Sequence, residues 1–204
     1  MTDRSDFLLA MYNQLCSEMD RHIKITWQIV GVLLSTLAVF ALVDKNIMPL
    51  DIACSIILGV CALAIGIIIE SNFWYNRNLV IIANIERQFL LESDSKEIQH
   101  YFTKHRSGNT YIDMMLIQMV FVIIVVLLMF IYHTSQRVVS SFSLSNDIDY
   151  SKTMPTIVIL TTIILAYLFH KKRIENYNTF VNNSPGKTMS PTTNIPSDSD
   201  HITT

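Results

Sequence analysis

Cysteine is scarce in this 204-residue chain, with three copies, and glycine and proline number only five each. Three cysteines cannot make the disulfide framework of a small secreted domain. Cys54 and Cys61 lie two turns apart on one expected helix, too far along it to bridge, and Cys16 stands alone upstream. All three read as small apolar packing residues. Catalytic signatures are missing too: there is no glycine-rich phosphate loop, no G-x-S-x-G, no H-E-x-x-H and no C-x-x-C. His100 and His105 are five positions apart and have no adjacent cysteine, so they do not share a helix face as a zinc pair would. No metal, no cofactor and no enzyme activity is expected. A net charge of −2 argues against direct nucleic-acid binding, which needs a basic surface.

The most informative absence is of charge within four long apolar runs. Residues 25–43, 52–69, 114–132 and 154–169 contain no Asp, Glu, Lys, Arg or His. An α-helix needs about 17–25 such residues to cross a bilayer. The first three runs qualify, and the fourth does so if Lys171 and Lys172 snorkel to the interface. The expected fold is all-α: a polytopic membrane protein with four transmembrane helices and a helical cytoplasmic stalk. Ion-coupled carriers usually keep an ionisable group at membrane depth, so these charge-free spans argue against a secondary transporter. A pore remains open, because hydrophobic constrictions gate by dewetting. Thr26, Gln28, Ser35, Thr36, Gln118, Thr161 and Thr162 could line one, or could bond to their own helix backbones.

Lys and Arg set the expected sidedness. Twelve fall in the N-terminal segment, the second loop and the C-terminal tail, and three (Lys45, Arg137 and Lys152) fall in the other two loops. Positive charge collects on the cytoplasmic side, which places both termini there. Trp27, Phe73, Trp74, Tyr75 and Tyr132 lie at span boundaries, where amphipathic rings are favoured. Asp3, Asp6, Glu18 and Asp20 precede the first apolar run, so the N-terminus does not read as a cleavable signal peptide.

Along the chain, residues 1–24 form an amphipathic helix entering the first span. Residues 25–70 form a first transmembrane hairpin, turning at 44–51 around Asn46 and Pro49. Residues 71–113 form a cytoplasmic helical region. The second span is expected to continue into it unbroken, since 71–92 lack Pro and Gly. Asp94 with Glu97 resembles a capping box opening a short helix through Lys104, and Thr110 with Asp113 is expected to start the third span. Residues 114–170 form a second hairpin, with Pro155 in a first turn. Residues 171–204 form a mostly disordered tail, polar from about Val181 onward.

Two sets of residues stand out as candidate sites. Gly31, Ser35 and Ala38 on the first span, and Ser55, Gly59, Ala62 and Gly66 on the second, form small-residue stripes. Such stripes permit close helix approach in lipid, within the hairpin or between subunits. Glu70, Asn72, Asn76, Arg77, Asn78, Asn84, Glu86 and Arg87 are the densest polar set on a helix. They are either a solvated face or a collar in which Asn76, Arg77, Asn84 and Arg87 contact a regulator or a partner.

Residues 27–89 comprise a span, a tight turn, a second span, a boundary Phe73-Trp74 and a long helix. That outline resembles SLATT-type and other small multi-pass transmembrane effectors of bacterial antiviral defence systems. The resemblance implies an oligomeric effector or pore-forming subunit in the bacterial inner membrane, regulated through its cytoplasmic helices. Its implied partners are the lipid bilayer, further copies of itself and a soluble protein of the same system. The alternative is a non-conducting membrane scaffold or anchor that recruits a soluble partner.

Overall fold

The computed structural model describes residues 4–91, 93–94, 110–138 and 150–184. All regular structure in these residues is helical. α1 spans Arg4–Thr36; a single 3-10 turn, Leu37–Val39, separates it from the short α2, Phe40–Asp44. α3 spans Leu50–Phe89, α4 Leu116–His133 and α5 Tyr150–Asn182, and a π-helical turn, Thr134–Val138, follows α4. Four segments are long and apolar enough to cross a membrane: Arg4–Asp44, Leu50–Phe89, Leu116–Arg137 and Lys152–Asn182. This is the architecture of a multi-pass helical membrane protein.

The turn between the first two spans has a specific chemistry. Asn46 takes φ 54°, a left-handed conformation that Asn tolerates better than most side chains. Its N–H donates to Val43 O at 2.9 Å, and the Ile47 N–H donates to Leu42 O at 2.9 Å. These are the two bonds of a Schellman motif, which satisfies carbonyls left over at a helix end. α3 begins directly after Pro49, so Asp51 lies in its first turn, whereas the sequence placed it at the end of the loop.

The chain divides into two units. The polar unit comprises Met1–His22, Asn72–Asp113 and Arg173–Thr204; the span unit comprises Ile23–Ser71 and Met114–Lys172. α1, α3 and α5 each contribute to both. The polar unit gathers the N-terminal segment, the second loop and the C-terminal segment.

Within the polar unit, α1 is antiparallel to α3. Arg4 donates to Gln88 at 3.3 Å, Tyr12 to Glu86 at 3.4 Å, and Glu18 accepts from Asn78 at 3.4 Å, so rising numbers on α1 meet falling numbers on α3. α5 runs parallel to α3: Arg173 lies over the Phe73 ring, Phe180 faces Arg77, and Ser184 bonds Asn84. The core is Phe73, Val80 and Tyr177, flanked by Trp74, Tyr111, Phe180 and Val181. This corrects the expected boundary of the tail. Residues 171–182 belong to α5, because Tyr177, Phe180 and Val181 supply an apolar face that the polar composition of the tail obscures.

In the span unit α3 is the central helix. Of its most apolar window 44% is buried, against 12%, 17% and 6% for the other three candidate spans. Its buried face carries Cys54, Ile57, Cys61, Ala64 and Ile68 at helical spacing, so Cys54 and Cys61 are packing residues. Thr26, Ser35, Thr36, Ser55 and Thr162 each donate to a carbonyl three or four residues earlier in their own helix. Those five hydroxyls are satisfied locally, as side chains in an apolar medium require.

Two helix starts differ from expectation. Thr110 and Asp113 do not open the third span; α4 begins at Leu116, and Asp113 instead accepts from Asn72. α5 begins at Tyr150, so Pro155 lies inside the helix, past its first turn, where it lacks an N–H for the preceding turn. The short helix expected to open at Asp94 and the tail beyond residue 184 lie outside the described residues.

Candidate functional site

The polar collar on α3 is built into the subunit. Asn76 is fully buried. Its Nδ2 donates to Ile112 O at 2.7 Å and to Asn72 O at 2.8 Å, and its Oδ1 accepts from the Ile112 N–H at 2.8 Å. Asn72 Nδ2 donates to Asp113 Oδ1 at 2.9 Å. In the non-helical segment 110–113, Asn76 pairs both backbone groups of Ile112, which no helix or strand ladder satisfies, and Asn72, one turn earlier on α3, holds the Asp113 side chain. The Tyr111 ring meets Tyr177 edge-on at 5.2 Å, which joins this segment to α5.

Arg77 is half-buried and is held by aromatic faces. Its guanidinium carbon lies 4.8 Å from the Trp74 ring centroid and 5.4 Å from that of Phe180, within cation–π range of both. Arg87 is buried and donates through Nη1 to Asn84 Oδ1 at 2.9 Å; Asn84 in turn donates to Ser184 Oγ at 3.3 Å. Burial lowers the Arg87 pKa from its ordinary value, and the adjacent Glu86 carboxylate opposes that shift. Burial first, then Glu86, pushes the Tyr12 phenol up to about 12, so it stays a protonated donor to Glu86 at neutral pH. Burial likewise raises the Cys16 thiol, which keeps it away from the reactive thiolate form. Of the four residues singled out on α3, then, Asn76 and Arg87 face inward, and Arg77 and Asn84 are the two that solvent reaches.

The small-residue stripes do not form a seam within one subunit at their glycines. A Cβ added at Gly31, Gly59 or Gly66 meets no neighbouring atom within 4 Å. Gly31, Ser35 and Ala38 are exposed, and Ser55, Gly59, Ala62 and Gly66 flank the buried Cys54–Cys61–Ala64 face of α3 without occupying it. The closest packing of α3 uses the adjacent face, and the glycines leave room beside it.

A second polar cluster was not legible in the sequence. Asp51, in the first turn of α3, and His133, the last residue of α4, are both buried. His133 Nε2 and Asp51 Oδ1 are 2.9 Å apart. Arg137 donates through Nε to Oδ1 at 3.3 Å and through Nη2 to Oδ2 at 3.0 Å. A carboxylate beside a guanidinium only accepts, so Nε2 of His133 carries the hydrogen. Both residues sit one position outside the charge-free runs, so a rule based on those runs passes over them. Phe40 and Tyr132 meet edge-on at 5.9 Å, joining α2 to the end of α4.

Among the described residues no group of His, Cys, Asp and Glu is arranged to hold a metal ion. No family model, curated protein or solved structure matches this chain.

Proposed function

We propose that this chain is the subunit of a homo-oligomeric bacterial inner-membrane effector that permeabilises the membrane and is controlled through its polar unit. The observation that carries the reading is the continuity of α3 and α5, each of which enters both the span unit and the polar unit without a break. A protein that grips the polar unit thereby acts on helices that form two of the four candidate spans. Arg77 and Asn84 are the collar residues accessible to such a partner. Further support comes from the apolar surface left by three spans, whose windows are only 6–17% buried, and from the open space at Gly31, Gly59 and Gly66. Lipid covers such a surface by default, and copies of the same chain can pack closely where the side chain is hydrogen. In this reading both termini are cytoplasmic, the protein partner is soluble, and no nucleic acid, cofactor or catalysis takes part. The place in antiviral defence rests on the outline of residues 27–89 alone.

Titrated expression in bacteria carrying a potential-sensitive dye tests the proposal. The expected result is depolarisation and growth arrest that scale with the amount of inserted protein. An intact potential at levels where the protein purifies as an oligomer would overturn it in favour of a non-conducting scaffold.

A further inference from the structure

We propose that Asp51, His133 and Arg137 form an electrostatic clasp that holds the second and third spans together at their loop ends and keeps the assembly closed. The inference rests on the permeabilising function proposed above. The Asp51 side chain is 5% exposed, His133 0% and Arg137 42%. The two buried members belong to different spans, so parting α3 from α4 at this end must separate them. A buried charge that loses its partner is strongly unfavourable, and the closed arrangement supplies Asp51 with donors from both neighbours. The fork of Arg137 reaches both oxygens of the Asp51 carboxylate, the geometry in which Arg binds most specifically.

The three members are unequal, and that makes the cluster a device rather than a plain buried pair. Asp51 and His133 are shielded, whereas Arg137 is half-exposed and projects from the π-helical turn Thr134–Val138. Single π turns are rare and recur at functional sites. Arg137 is therefore the releasable member, open to competition from water or from any anion at the membrane surface. Its departure leaves Asp51, among the described residues, with the His133 contact and weakens the tie between the spans.

The test uses the full chain carrying Arg137→Gln, Arg137→Lys or Lys45→Gln, the last removing one positive charge from the adjoining loop. Hydrogen exchange in detergent micelles reads the clasp directly, and dye measurements in cells read its effect. Arg137→Gln is expected to speed exchange roughly tenfold at the start of α3 and the end of α4, and to cause depolarisation at lower expression than wild type. Arg137→Lys, which keeps the charge but loses the fork, should fall between the two. Lys45→Gln should match wild type in both readouts. Unchanged exchange in Arg137→Gln overturns the clasp. Faster exchange with no change in the depolarisation threshold overturns its role in closure. If neither wild type nor variant depolarises cells, the permeabilising function fails, and the exchange result alone then decides whether the clasp exists.

Discussion

Asn76 bonds to Ile112 as a neighbouring strand would, donating to its carbonyl at 2.7 Å and accepting from its N–H at 2.8 Å. One fully buried side chain thus satisfies both main-chain groups of a residue 36 positions away. Asn76→Ala would leave those groups without these bonds and should destabilise the polar unit by about 2–4 kcal/mol. Exchange at the Ile112 amide should rise sharply in the variant. An unchanged amide would mean that residues 110–113 are held by other contacts.

Arg77 and Arg87 should separate in their effects. Arg87→Gln removes a buried charged donor to Asn84 and should cost about 1.5–3 kcal/mol. Arg77→Gln removes contacts with Trp74 and Phe180 at a partly exposed site and should cost about 1 kcal/mol or less. Thermal unfolding in detergent ranks the two. If Arg77→Gln abolishes cellular activity while leaving stability and insertion near wild type, Arg77 acts through a partner.

A Cβ at Gly59 or Gly66 meets no neighbouring atom in the single subunit, so Gly59→Leu and Gly66→Leu should each insert and fold normally. Their expected effect is on assembly: the detergent-solubilised mass should fall toward the monomer. Unchanged mass would mean that lipid covers these glycines.

The sidedness can be read with a membrane-impermeant thiol reagent in a background lacking Cys16, Cys54 and Cys61. Ile47→Cys, in the exposed turn between α2 and α3, should react in intact cells. Gln88→Cys and Asn178→Cys, both exposed in the polar unit, should react only after permeabilisation. Labelling at either of these from outside would invert the topology.

Tyr12 makes the polar unit sensitive to alkali. Its pKa is about 12 in the folded chain against an ordinary 10.0, so the folded state holds this proton more tightly. The resulting stability is fully present below pH 10.0 and is lost as pH rises toward about 12. A Tyr12→Phe variant should lose that part of the alkaline destabilisation, seen as a flatter unfolding midpoint across the window.

What the sequence by itself determined was the solvent of each segment. Charge-free runs of membrane length can satisfy their backbones in lipid only as helices, so span number and helical class followed from composition. The absence of Pro and Gly from 71–92 likewise foretold that α3 would leave the spans unbroken, and Asn46 marked the turn. Which helix face meets which neighbour was decided only by the tertiary structure. Amphipathic periodicity points to a core when one side of a helix faces water, but a span is apolar all round, so its pattern does not separate the Cys54 face from the Gly59 face. The clasp joins Asp51 to residues 82 and 86 positions later, and no local pattern encodes a pairing at that separation. Tyr177 reads as one more residue near a polar tail until α5 lies beside α3 and buries it. Folding turned these ordinary polar and aromatic residues into the interior of the protein, because each finds in a distant segment the hydrogen bond or apolar neighbour that its own stretch of chain lacks.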